Sequence, residues 1–60
     1  RPLPDGIAGR ILSELTGGAL QIEALCERIG EPAPVVLSEI TMLEMDGFVR
    51  QKPGKFFEKE

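Results

Sequence analysis

Sixty residues with a net charge of −3 make one small domain. Such a chain buries only about 60% of its unfolded surface, so nearly every large apolar residue is needed for the core and little room is left for an enclosed active site. The chain has no His, Trp or Tyr and a single cysteine, Cys26, which excludes an internal disulfide and, from that residue alone, a metal site.

With no His to activate it, Cys26 reads as a small core residue and not as a nucleophile. No catalysis, metal or cofactor is therefore expected. No apolar run approaches the roughly 20 residues that span a bilayer, and no secretory signal is visible, so neither membrane contact nor export is expected. The opening Arg1-Pro2-Leu3-Pro4 reads as linker and residues 5–58 as one domain. The expectation is a module of a longer, cytoplasmic protein.

A first helix should begin near Asp5, whose carboxylate can accept from free backbone N–H groups. Ile7, Ile11, Leu12 and Leu15 then form one stripe, with Arg10, Ser13 and Glu14 left to water. Gly17-Gly18 ends this helix. Leu20 and Ile22 alternate around Gln21, enough for a strand of two or three residues that pairs with a hairpin edge. A short second helix spans about 23–29, with Leu25, Cys26 and Ile29 inward and Glu23, Glu27 and Arg28 outward. Gly30 supplies the left-handed position of the turn that follows.

Pro32 and Pro34 sit where proline is tolerated, at the entrance and first turn of a third helix. That helix should run from about 33 to 46, burying Val36, Leu37, Ile40, Leu43 and Met45, and Gly47 stops it. From Leu25 to Gly47 the pattern is helix, glycine-containing turn, helix. Two short runs follow, Phe48 to Gln51 and Lys55 to Glu58, hinged at Lys52-Pro53-Gly54. That is how a small β-hairpin, a wing, is written. The predicted fold is mainly α with one hairpin: a winged helix-turn-helix of order α-β-α-α-β-β.

Five segments, Ile11-Leu12-Ser13-Glu14-Leu15, Leu20-Gln21-Ile22-Glu23-Ala24-Leu25, Pro34-Val35-Val36-Leu37, Leu43-Glu44-Met45-Asp46-Gly47-Phe48-Val49 and Pro53-Gly54-Lys55-Phe56, carry a family likeness. Together, over about residues 7 to 57, the chain resembles the C-terminal winged-helix domain of the DNA-processing protein A (DprA/Smf) family. The resemblance implies a parent with a Rossmann-like domain that binds single-stranded DNA and passes it to the RecA recombinase in natural transformation. This chain would be its accessory module. Family members commonly have Ser or Thr near Gln21 and an apolar residue near Glu31, so a soft start to the second helix is expected. The resemblance also implies that Phe56 packs inward and Phe57 is partly exposed.

Charge separates the candidate surfaces. Residues 31–49 hold Glu31, Glu39, Glu44 and Asp46 and no cation, giving −4, whereas residues 50–60 sum to +2. A DNA-reading winged helix places its third helix in the major groove and neutralises phosphates with Lys and Arg. An acidic helix there repels the backbone. Its outward positions, read as Val35, Ser38, Glu39, Thr41 and Met42, carry no Arg, Lys, Asn or Gln for base reading. Two roles remain open. In one, Arg50, Lys52, Lys55 and Lys59 make weak, non-sequence-specific phosphate contacts, with Phe57 as a stacking face; the plainer alternative is that these lysines only block edge pairing. In the other, Val35, Glu39, Met42 and the edge of Val36 form a protein-interaction face, set against the alternative of isolated surface hydrophobes. Partners on that reading are the parent's Rossmann-like domain, a second copy or RecA.

Overall fold

The structure, a computed structural model, describes residues 6–60; the predicted linker 1–4 and the Asp5 cap lie outside the described residues. These residues form three helices, α1 (Gly6–Leu15), α2 (Ile22–Ile29) and α3 (Ala33–Met45), and three strands, β1 (Leu20–Gln21), β2 (Val49–Lys52) and β3 (Phe56–Lys59). The order is the one the sequence predicts, α-β-α-α-β-β. The strands form one antiparallel sheet in the order β1-β3-β2. The second helix starts one residue earlier than expected: Ile22 is its first residue and not the end of a strand.

Every element contributes to a single core. Ile11, Leu12 and Leu15 of α1 meet Leu25 and Ile29 of α2, Val36, Ile40 and Leu43 of α3, and Val49 and Phe57 of the wing. Leu20, Ile22, Cys26 and Phe48 pack around it, half-buried. Cys26 is thus a packing residue with a free thiol. Arg10 does more than face water. Its guanidinium donates to the Ile29 carbonyl at 2.8 Å, placing a cation on the negative end of α2 and tying α1 to it.

The end of α3 fixes where the wing begins. Gly47 takes the left-handed φ of 83°, its N–H reaches the Glu44 carbonyl at 3.1 Å, and the Phe48 N–H reaches the Leu43 carbonyl at 2.9 Å. This is a Schellman closure, and the apolar Phe48 packs against the core beside it. Only there does the chain turn from helix into β2. The wing tip uses Pro53-Gly54, with Gly54 at φ 84° and then Lys55 at φ 63°, so a non-glycine residue is held left-handed.

Gln21 makes no side-chain cap for α2. Its amide instead donates to the Gly54 carbonyl at 3.2 Å, joining the short strand to the wing tip across the sheet.

A Cβ on residue 47 would touch nothing within 4 Å, so Gly47→Ala tests the backbone alone. Urea unfolding should show a loss of about 1 kcal/mol, the cost of a left-handed alanine. Lys55→Gly should leave stability unchanged, because relief of similar strain offsets the entropy that glycine adds.

Candidate functional site

Which residues of α3 face water follows from its phase. Successive residues turn about 100°, and Val36, Ile40 and Leu43 point into the core, with exposures of 0, 1 and 2%. Met45 lies nearly opposite that direction and is 79% exposed, and Leu37, about a quarter-turn from it, is 43% exposed. The sequence pattern places both in the core, and the helical phase turns them out. Val36 is fully buried and offers nothing to a partner. Val35 and Glu39 are half-buried on one flank of α3, and Met42 is exposed beside them.

The outer face of α3 therefore consists of Leu37, Ser38, Thr41, Met42 and Met45. It carries no charge. The Thr41 hydroxyl is spent on the Leu37 carbonyl at 2.9 Å, so this residue shows a methyl group to solvent. Carboxylates frame the face: Glu44 on the wing side, Glu39 and Asp46 on the other. The sequence reading of an acidic helix is thus sharpened to an apolar strip between acidic borders.

The wing has two distinct faces because side chains alternate along a strand. Phe57 points into the core at 5% exposure, opposite Leu20 and Gln51, and Phe56 points away at 39% exposure. This reverses the expected assignment of the two phenylalanines. The physical reason is the β1 register: pairing Leu20 with Phe57 puts both apolar side chains on the helical side. Phe57 cannot stack on a base; the aromatic that can is Phe56. It shares its face with Gln21, Lys52, Arg50 and Glu58, as the pairs Lys52 with Phe56 and Arg50 with Glu58 require.

Two of the wing cations on that face already have an anion. Arg50 Nε and Nη2 both reach Glu58 Oε2 at 2.6 Å, and Lys52 Nζ stands 3.6 Å from Glu58 Oε1. The hydrogen bond from Arg50 holds the Glu58 carboxyl below the usual carboxylate range, and the same bond raises Arg50. The pair is therefore ionised at neutral pH. Lys55 and Lys59 make no ion pair among the described residues. Lys55 is at the tip, whereas Lys59 pairs with Val49 at the other end of the hairpin, so the four predicted cations do not form one cluster.

Between the core side of the wing and α3 runs a groove of about 360 Å³. Ile22, Ile40 and Phe57 form its floor, Leu37, Thr41 and Glu44 its helical wall, and Gln51 and Lys55 its wing wall. Sequence reasoning missed Leu37, Glu44 and Gln51 as surface residues of one feature, since they meet only after the wing folds back over the helix. Among the described residues, no group of three or more metal-ligating side chains comes together, no buried side-chain polar atom lacks a partner, and no helix is long and apolar enough to cross a membrane.

Comparison with known proteins agrees with this architecture. The family model described as the DprA winged helix domain matches residues 1–55. The chain belongs to the DprA winged-helix family. No curated protein and no solved structure gives a significant match. The DprA winged helix is thus the frame in which the α3 face, the groove and the wing are to be understood.

The two phenylalanines give a direct check on the wing's orientation. Phe57→Ala should cost about 3 kcal/mol or more, which unfolds a domain of this size at ordinary temperature. Phe56→Ala should cost less than about 1 kcal/mol. Thermal unfolding by circular dichroism separates the two outcomes, and a larger loss for Phe56→Ala would reverse the assigned faces.

Proposed function

We propose that this chain is the accessory, non-catalytic winged-helix module of a cytoplasmic DNA-processing protein acting in natural transformation. On this reading the parent's Rossmann-like domain binds single-stranded DNA and delivers it to the RecA recombinase. The winged helix contributes a protein-docking surface and does not read duplex sequence. The observation that supports this most is the outer face of α3, where Leu37, Met42 and Met45 are 43, 60 and 79% exposed and no cation is present. An uncharged strip with acidic borders suits a protein partner and opposes a phosphate backbone.

The test is a Met42→Ser, Met45→Ser double variant. Both side chains are exposed, so stability should fall by less than about 1 kcal/mol. Affinity for RecA or for the parent's single-strand-binding domain should fall at least tenfold, by calorimetry or fluorescence anisotropy. Undiminished affinity, or no binding of the unmodified chain to either protein, would count against docking through α3.

A second reading, auxiliary contact of the wing with nucleic acid, is favoured by the common face of Phe56, Arg50 and Lys52. A base could stack on Phe56 while the cations meet flanking phosphates. The contact is weak because Glu58 already occupies Arg50 and Lys52. Replacing it by Glu58→Gln should raise affinity for a short single strand several-fold and steepen the salt dependence. The log–log slope should approach −2, at about −0.7 per phosphate neutralised by Arg50, Lys52 and Lys55. An unchanged affinity would leave these cations as edge-protecting residues only.

A further inference from the structure

We infer that Met42 and Met45 form an oxidation site through which a peroxide turns the outer face of α3 from apolar to polar without unfolding the domain. The effect on a partner rests on the docking role proposed above; the oxidation itself does not. The chain holds two methionines, and both lie on α3, three residues apart and so neighbours on one face. They are 60 and 79% exposed, and with Leu37 they make up the large apolar side chains that α3 shows to water.

Placement decides what oxidation does. A core methionine carries its sulfoxide into apolar contacts and disrupts the packing around it. Neither Met42 nor Met45 belongs to the core cluster or to the side chains packed against it. The remaining sulfur, the thiol of Cys26 on α2, lies half-buried against that core. The two thioethers are thus the sulfurs most open to a reagent in solution, and the fold does not depend on their being apolar.

In the reaction a sulfur lone pair attacks one oxygen of the peroxide. The S–O bond forms as the O–O bond breaks, and the departing hydroxide takes the proton of the transferred oxygen and leaves as water. Sulfur is oxidised to the sulfoxide and the peroxide is reduced by the same two electrons. Hydrogen peroxide is uncharged, so the neighbouring carboxylate of Glu44 does not repel it. The step is reversed by a sulfoxide reductase: two thiols give up two electrons, forming a disulfide and water, and one enzyme serves each sulfoxide epimer.

The consequence is local. Two flexible apolar side chains become polar hydrogen-bond acceptors, which leaves Leu37 as the large apolar group of the strip. Any partner seated there would then have to desolvate two S=O groups.

The chain is treated with hydrogen peroxide and sampled over time by mass spectrometry, with fragment ions placing each added oxygen. A dithiol added before each reading returns Cys26 from sulfenic acid or disulfide and leaves the sulfoxides in place. Both methionines should oxidise at a rate within about threefold of N-acetylmethionine amide. The melting temperature should move by less than about 3 °C, and amide shifts should stay within residues 37–47. Affinity for RecA or for the parent's single-strand-binding domain should fall by about fivefold or more, and sulfoxide reductases with a dithiol should restore it. In a Met42→Leu, Met45→Leu variant, peroxide should change the affinity by less than about twofold from that variant's own starting value.

Oxidation more than about tenfold slower than the free amide, or unfolding of the oxidised chain, would overturn the site. Full oxidation with undiminished affinity would overturn the switch, while the Met42→Ser, Met45→Ser comparison still decides docking by itself. If neither protein binds the unmodified chain, the docking role fails alone, and rate, fold and reversal still decide the oxidation site.

Discussion

The seating of Phe57 in the helical core decides the rest of this surface. A strand has a period of two, so once Phe57 is buried against Leu20, every other wing side chain has its side fixed. Phe56, Lys52, Arg50 and Glu58 go to the outer face, and Gln51 turns toward α3. A slip of one residue would bury Phe56 and bring Arg50 and Lys52 over the apolar core. Such a state carries unpaired charge over apolar contacts and is strongly disfavoured. The register is reinforced at the tip, where Gln21 reaches the Gly54 carbonyl.

From this follows a separation of chemistry between two surfaces that a winged helix usually uses together. The third helix shows solvent an uncharged, methionine-rich strip with acidic borders. The wing shows an aromatic ring beside two cations that share one glutamate. Neither surface resembles a reader of duplex sequence, for different reasons. The helix lacks cations and base-directed donors, and the wing's cations are partly neutralised within the hairpin. Both surfaces belong to a chain of the DprA winged-helix family.

Much of the architecture could be read from glycines and apolar spacing. Gly30 and Gly47 take the left-handed conformations expected of them, at φ 80° and 83°, and the helices lie within a residue of their predicted limits. The surface was less legible. Phe56 and Phe57 are adjacent and identical, so alternation alone cannot say which is buried; the pairing of Leu20 decides it, and that contact spans more than thirty residues. Met45 and Leu37 are apolar and expected on the buried side, but the helical phase turns Met45 about 200° from Leu43 and sets Leu37 a quarter-turn from the core direction. Gln21, a poor cap by type, has a use that only the folded wing reveals. The neutralisation of Arg50 and Lys52 by Glu58 depends on cross-strand register and was equally invisible.

An amide-resolved NMR titration of the chain with single-stranded and duplex DNA at low salt decides whether the outer face of α3 meets nucleic acid. Perturbations should be confined to the wing, around Arg50, Lys52, Lys55 and Phe56, with residues 37–45 unmoved by either ligand. Saturable shifts along residues 37–45 on adding duplex DNA would instead make α3 a nucleic-acid surface.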